Sequence, residues 1–213
     1  MLISIDQSFE TPSENLAYDD VLLEECESHS LKEILRFWES STYFIVLGRA
    51  NQAKLEVNIE ACKNDTIPIL RRSSGGGTVL QGPGCLNYSL IIKIDGKEEY
   101  QNITRTNTYI MQKHKEALQL ILNEPIEVKG FTDLVWRGKK FSGNAQKRGR
   151  NALLFHGTFL YGMNIELIEK YLIFPSKSPT YRNSASHREF LTNVPLTPDV
   201  IKEALREIWN VKT

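Results

Sequence analysis

Three short segments hold residues whose types and spacing could do chemistry. The first runs Arg71-Arg72-Ser73-Ser74-Gly75-Gly76-Gly77-Thr78-Val79-Leu80-Gln81-Gly82-Pro83-Gly84. Three consecutive glycines after a strand let the backbone approach a ligand closely and expose several amides. Arginines at the strand end can grip a phosphate or carboxylate with paired N–H groups. The spacing is not that of a P-loop, because no Gly-Lys-Ser/Thr follows, and it is not the dinucleotide fingerprint. Taken alone, the run reads equally well as a glycine-rich hairpin with two solvated arginines. The second segment is Gly138-Lys139-Lys140-Phe141-Ser142-Gly143-Asn144-Ala145-Gln146-Lys147-Arg148, and from Arg137 to Arg150 there are six basic residues and no acidic one. Such a run is commonly a solvated hairpin face. A lysine on an alternating strand ahead of Ser-Gly could instead point its ammonium into a cleft and meet negative charge as it develops on a phosphate or acyl oxygen. The third is His156-Gly157-Thr158, inside an apolar stretch from Leu153 to Tyr161. A lone histidine there is more often a hydrogen-bonded core residue than a catalyst. No second His, Asp or Glu stands at metal-ligand spacing around it. There is no Gly-x-Ser-x-Gly elbow and no convincing Ser/His/Asp set.

The elements that must position these segments alternate between helix and strand. Thr11-Pro12-Ser13-Glu14 opens a helix to about Glu27. Thr11 caps it, Pro12 suits the first turn and Glu14 reaches back to the Thr11 amide. That helix is expected to bury Leu16, Ala17, Val21 and Leu22. Residues 33–38 and 43–47 read as strands joined by a Ser40-Ser41 turn, 57–64 as a short helix, and 68–72 as a strand entering the glycines. Residues 86–93 form a strand and Gly96-Lys97 a turn; 103–122 is the longest helix, with Ile110, His114, Ala117 and Ile121 at helical spacing. Strands follow at 126–128, 134–136 and 152–161, then helices at 165–172 and 197–209, the last capped by Thr197 with Pro198 behind it. Residues 181–186 have no clear period and read as loop. Strict βαβ alternation is missing, so the expected fold is α/β of an α+β-like kind, a mixed central sheet flanked by helices.

Bulk properties narrow the function classes. The 213 residues suit one domain, 1–213, with a sizeable core. Lys+Arg and Asp+Glu both number 26, so no global basic field argues for nucleic acid. The opening Met1-Leu2-Ile3-Ser4-Ile5-Asp6 carries neither a basic n-region nor an h-region, and no apolar run approaches the ~20 residues of a membrane span. Three cysteines, Cys26, Cys62 and Cys85, suit free thiols in a reducing compartment, hence the cytoplasm.

Taken together, in order and approximate spacing, the three segments resemble the lipoate–protein ligase and octanoyltransferase family. Asn15-Leu16-Ala17-Tyr18-Asp19, Val46-Leu47-Gly48-Arg49 and Leu86-Asn87-Tyr88-Ser89 extend the likeness over roughly residues 10 to 175. The glycine loop followed by Lys-x-Ser-Gly-x-Ala carries most of it. The resemblance implies the mixed-sheet fold shared with biotin ligases. It implies that Arg72 and the backbone of Gly77, Thr78, Val79 and Leu80 contact ATP or an acyl-adenylate. Lys140 would contact the acyl carbonyl and the α-phosphate as the catalytic residue. Asp133 would lie near the nucleotide or its magnesium, with no fixed metal site. Gly75, Gly76, Val79, Asn87, Ser142, Gly143, Ala145, His156 and Gly157 would form or flank the acyl pocket. The implied partners are lipoyl carrier domains of 2-oxoacid dehydrogenases or the glycine cleavage H protein.

Two departures shape the expected mechanism. Gln81 stands where many relatives have His, and the chain ends at Thr213, without the small C-terminal accessory domain that aids adenylation in bacterial ligases. A separate accessory-domain protein is therefore an implied partner. Octanoyltransferases of the superfamily form a thioester on a cysteine, at one of two places in the chain. Here those stretches, Lys129-Gly130-Phe131-Thr132-Asp133 and Ala152-Leu153-Leu154-Phe155, contain none, and Cys85 reads as a buried, inert thiol. The expectation is thus an acyl-adenylate route: lipoate or octanoate activated as acyl-AMP and passed to a carrier lysine. The alternatives are a transferase that works without ATP, and a non-catalytic or two-protein ligase subunit that binds acyl-AMP.

Overall fold

Strands rich in aromatic and β-branched residues build two sheets in the computed structural model, which describes residues 2–28, 32–175 and 177–211. Met1 and Thr213, the ends of the expected domain, lie outside the described residues. The chain runs β1 (Leu2–Asp6), α1 (Pro12–Glu27), β2 (Glu33–Trp38), β3 (Phe44–Leu47), α2 (Ala53–Glu56), α3 (Ile59–Asn64), β4 (Ile69–Arg71) and β5 (Val79–Gln81). It continues through β6 (Cys85–Lys93), α4 (Ile103–Leu122), β7 (Ile126–Lys129), β8 (Asp133–Trp136), β9 (Lys139–Arg148) and β10 (Ala152–Leu160). It closes with α5 (Ile165–Tyr171), α6 (His187–Phe190) and α7 (Pro198–Ile208). The large sheet has seven strands in the order β1-β2-β6-β10-β9-β8-β7; only β1 and β2 are parallel. The small sheet, β4-β3-β5, is also mixed. The expected mixed sheet flanked by helices is what the chain forms.

One face of the large sheet carries Phe37, Tyr88, Leu90, Phe141, Phe155 and Phe159 against α4 and α7, all within the main core. Burying one such aromatic side chain stabilises the fold by roughly 1.5–3 kcal/mol. The opposite face is covered in two places. Near one end, Ile34, Ile91 and Leu154 pack on Leu22, Leu23 and Cys26 of α1. Near the other, Cys85 and Leu160 pack on Ile45, Leu47 and Leu80 of the small sheet. Between these two apolar patches lies a polar strip.

The helix boundaries follow local chemistry closely. Thr11 and Glu14 form the expected capping box on α1, and Thr197 caps α7 with Pro198 in its first turn. Other expectations need correction. In α1, Leu22 is buried, but Ala17 and Val21 are exposed, and Asn15 and Asp19 are buried in their place. The cause is Arg36, fully buried on β2, which donates to Asp19 Oδ1 at 2.7 Å and to Asn15 Oδ1 at 2.9 Å. A buried guanidinium demands such partners, so polar residues take the inward positions. Strands β2 and β3 do not form a hairpin. Ser40 Oγ donates to Thr42 O, and β3 turns away to found the small sheet. Both strands are buried almost continuously, so each needs cover on two sides. The helix expected over 57–64 starts only at Ile59, because Val57 is extended and Asn58 caps the start by accepting from the Ala61 amide; the short α2 before it was not expected.

Candidate active site

The polar strip is laid out by strand register. Alternate residues face one side of a sheet, so paired positions form rows across it. One row is Trp38, Asn87, Thr158, Gly143 and Asp133. The next is Arg36, Ser89, His156 and Ala145. Ser142 and Gly157 fall in rows that face the helices instead. Ser142 Oγ receives the Asn144 side-chain amide, and Asn144 Oδ1 lies 1.7 Å from where a Cβ on Gly157 would be. The structure thus brings together Asn87, Gly143, Ala145 and His156 of the expected pocket residues on one face, and turns Ser142 and Gly157 to the other.

Lys140 reaches this strip through an irregularity in β9. The register shifts between Leu134 and Val135, where β9 carries a bulge. Phe141 and Ser142 are consecutive yet both buried on the helical side, so Lys140 returns to the face that Gly143 and Asp133 share. Its ammonium lies 2.8 Å from Asp133 Oδ1, with the two side chains 25% and 14% exposed. It also lies over Gly143, where a Cβ would sit 2.7 Å from Nζ. Gly143 is therefore the floor that lets the lysine lie flat on the sheet. Lys139 alternates outward to solvent, where its Nζ lies 3.4 Å from the Arg188 carbonyl. Asp133 accepts a second hydrogen bond, on Oδ2, from the Tyr181 hydroxyl at 2.7 Å.

Above the strip sits the glycine loop, residues 73–78. Arg72 organises it: Nη2 donates to the carbonyls of Gly75 and Gly77 at 2.5 and 2.8 Å, and Nε to Ser74 Oγ at 3.0 Å. Burial pulls the Arg72 pKa down to about 10. Gly76 adopts a positive φ of 89° and rests over the Ala145 methyl, while Gly48 presses so close to the Gly76 carbonyl that a Cβ there would be at 2.2 Å. Thr78 is tied to Asn51, Val79 is exposed, and Leu80 is buried in the small-sheet core, which leaves its backbone as the part facing the loop. Ser74 Oγ is 2.6 Å from His156 Nε2, and His156 Nδ1 is 4.0 Å from Asp19 Oδ2. Burial first, then the Arg72 charge, lowers the His156 pKa to about 3, so the imidazole is neutral at ordinary pH. This Ser–His–Asp alignment falls short of a nucleophile relay. Ser74 is buried, it already accepts from Arg72, and the histidine–aspartate gap exceeds hydrogen-bonding distance. His156 is the hydrogen-bonded residue that ties the loop to the sheet.

Of the site neighbours, Asp20 and Tyr181 carried no signal in the sequence, whereas Gln81 and Thr158 lie in the motif segments. Asp20 accepts from both Ser73 Oγ, at 2.5 Å, and Lys147 Nζ, at 2.9 Å, and so fastens the loop to α1 and β9. Gln81 donates to Thr158, which donates to Asn87, at 2.6 and 2.7 Å. Tyr181 comes from the stretch expected to be irregular loop, and it does sit in a single 3₁₀ turn, Thr180–Arg182.

Other chemistry finds little support among the described residues. No group of three or more His, Cys, Asp or Glu could hold a metal ion. Asp133 offers one carboxylate, enough to share a magnesium ion that is held mainly by a nucleotide's phosphates. Cys26, Cys62 and Cys85 are free and buried, and burial, then the charge of Glu39, pushes the Cys85 thiol up to about 12. Among the described residues, no helix is long and apolar enough to cross a membrane. Two open surface depressions, of about 730 Å³ beside Leu120, Ile121 and Ile208 and about 450 Å³ beside Tyr43 and Ile67, contain none of the motif residues.

Comparison with known proteins agrees with the geometry. Residues 11–206 match the model of the lipoyl protein ligase A/B catalytic domain. A probable lipoate-protein ligase A of Mycoplasma genitalium is 32% identical over 76% of this chain and 46% of its own length. The ligase LplJ of Bacillus subtilis is 27% identical over 99% of this chain and 63% of its own. An octanoyltransferase LipM of Oceanobacillus iheyensis is 27% identical over 84% and 71%. The chain spans about half the length of the first of these relatives. A bi-partite lipoate protein ligase from Thermoplasma acidophilum, from a structural analysis of that ligase and its E2 lipoyl domain, shares the fold at a TM-score of 0.80 and 24% identity, covering 99% of this chain and 84% of that one. A lipoate-protein ligase A bound with ATP shares it at a TM-score of 0.77 and 23% identity, covering 99% and 85%. With the motif segments meeting on one sheet face and the family model spanning nearly the whole chain, this protein belongs to the lipoyl protein ligase A/B catalytic-domain family.

Proposed function

We propose that the chain transfers a lipoyl-type acyl group from an acyl-adenylate to a lysine of a lipoyl carrier domain. The observation that carries this reading is the meeting of Lys140, the Arg72-braced glycine loop and His156 on one polar strip, beside which no cysteine thiol is exposed. In the first half-reaction, a lipoate or octanoate carboxylate attacks the α-phosphate of ATP and pyrophosphate leaves. In the second, the carrier amine attacks the acyl carbonyl, the mixed anhydride opens, AMP leaves and the amine loses a proton. No enzyme nucleophile takes part. The Lys140 ammonium contacts the acyl carbonyl oxygen and the α-phosphate oxygen, where charge builds in both steps. The amides of Gly77, Thr78, Val79 and Leu80, with the Arg72 guanidinium, receive the phosphate. Gly75, Gly76, Val79, Asn87, Gly143, Ala145 and His156 border the acyl chain, while Ser142 and Gly157 act from behind the sheet. Asp133 would serve the nucleotide or its magnesium while its carboxylate still orients Lys140.

The acceptors on this reading are lipoyl domains of 2-oxoacid dehydrogenases or the glycine cleavage H protein. The bi-partite relative, described together with its E2 lipoyl domain, supports a carrier domain as partner and a second polypeptide as helper. The octanoyltransferase relatives make direct transfer the second reading. Cys85 argues against it, since a buried thiol near pKa 12 is a poor nucleophile. One assay separates them: modification of a lipoyl domain from lipoate plus ATP, from preformed lipoyl-AMP, and from octanoyl carrier protein. Transfer from lipoyl-AMP is expected. Transfer from octanoyl carrier protein alone, with a trapped thioester, refutes the adenylate reading.

A further inference from the structure

We infer that Tyr181 is a positioning residue for Lys140, acting through Asp133; this rests on the proposed role of Lys140 above. The carboxylate of Asp133 is divided between two donors. Oδ1 faces the Lys140 ammonium at 2.8 Å and Oδ2 accepts the Tyr181 hydroxyl at 2.7 Å. A carboxylate held at one oxygen cannot rotate freely, so the other oxygen keeps a fixed direction, and the ammonium with it. Burial, then the neighbouring Asp133 charge, raises the Tyr181 phenol far above its usual pKa, so it remains a donor throughout the working range.

The tyrosine is itself anchored. Its ring lies 5.3 Å from that of Phe190, and its edge is 3.5 Å from where a Cβ on Gly130 would stand. The following Arg182 donates to the Ala185 carbonyl and lies 4.8 Å from the centroids of both Phe174 and Phe190. A capping box of Ser186 and Glu189 then starts α6. The same segment returns to the lysine: Leu191 pairs with Lys140 in a parallel bridge, and the Thr192 amide donates to the Lys140 carbonyl at 2.9 Å. Residues 179–193 therefore hold Lys140 twice, at its backbone directly and at its ammonium through Tyr181 and Asp133. A segment with no helical or strand period in the sequence becomes a brace for the central contact.

Tyr181→Phe removes the hydroxyl and keeps the ring, so the fold should persist, which a thermal melt verifies. Misplacing a reacting group by about an ångström can cost up to ~10² in rate. Tyr181→Phe should lower kcat for transfer from preformed lipoyl-AMP roughly tenfold or more on that scale, with KM nearly unchanged. In an Asp133→Asn background it should cost nothing further. Independently of turnover, acylation of Lys140 by an amine-reactive reagent, followed by mass spectrometry, should be faster in both variants while Lys139 is unchanged. Losses that simply add, or Lys140 labelling identical to the parent, would overturn the inference. A parent protein that labels as expected but transfers nothing would sink the proposed function and leave the brace standing.

Discussion

Replacing Lys140 with alanine is the perturbation that most directly probes the site. Its ammonium is a quarter exposed and 2.8 Å from Asp133. A hydrogen bond to a charged group is worth roughly 1.5–3 kcal/mol. A donor aimed at developing charge in a shielded site is worth about 10²–10³ in rate, or about 2.7–4 kcal/mol. The two ranges overlap near a hundredfold, which is the expected loss in acyl transfer from preformed lipoyl-AMP. The folded state loses less. Asp133 keeps the Tyr181 hydroxyl, and partial exposure screens the vanished ion pair, so the cost is on the order of 1 kcal/mol or below. For a chain of this size that lowers Tm by about 2–4 °C. The assay is the mass shift of a lipoyl domain at saturating lipoyl-AMP, run beside a thermal melt. Lys139→Ala is the control, since Lys139 points to solvent. Equal behaviour of the two variants, or a Lys140→Ala protein that transfers normally while His156→Ala is dead, would refute the assignment.

Gly143→Ala should keep the fold, because the atoms it would meet are the flexible end of Lys140, yet displacing that ammonium should cost on the order of tenfold in transfer rate or more. Cys85→Ser should retain most activity, and a trapped thioester on the parent protein would contradict this. His114 and His156 are buried with pKa values lowered to about 3, against 6.5 unfolded. A depressed histidine pKa means that the unfolded chain binds more protons between those values, so stability present above pH 6.5 is lost as pH falls toward 3. Urea midpoints measured across that range should therefore fall, and fall less in His156→Gln; an identical slope in parent and variant would show that this histidine does not titrate on unfolding.

How much was readable in the sequence depended on how local the cause was. The caps of α1 and α7 need only residues three apart, and both formed as expected. The polar inner face of α1 could not be read there, because it answers to Arg36, 21 residues from Asn15 and buried on another element. The two short strands β1 and β5 escaped notice, since five and three residues give too little periodicity to weigh. In the site, Lys140, Gly143, His156 and Thr158 were picked out by a pattern, whereas Asp20 and Tyr181 are brought in by tertiary contact alone. The orientation of Ser142 and Gly157 was equally hidden: the motif names them, and only the register decides which way they face.

The bulge at Phe141 makes the site sensitive to chain length in a way that ordinary substitution would not reveal. Lys140 and Gly143 differ by an odd number of positions, so an unbroken zigzag would set them on opposite sides of β9; the extra residue restores parity. Removing one residue from this stretch while the bulge stayed would send the ammonium toward the helices, whereas removing the bulged residue itself would keep it on the site face. An insertion of one residue would likewise keep the lysine on the site face only if the bulge were lost. The stretch between the lysine and its glycine floor therefore behaves like a reading frame: its letters can change within limits, but its count and its bulge must change together.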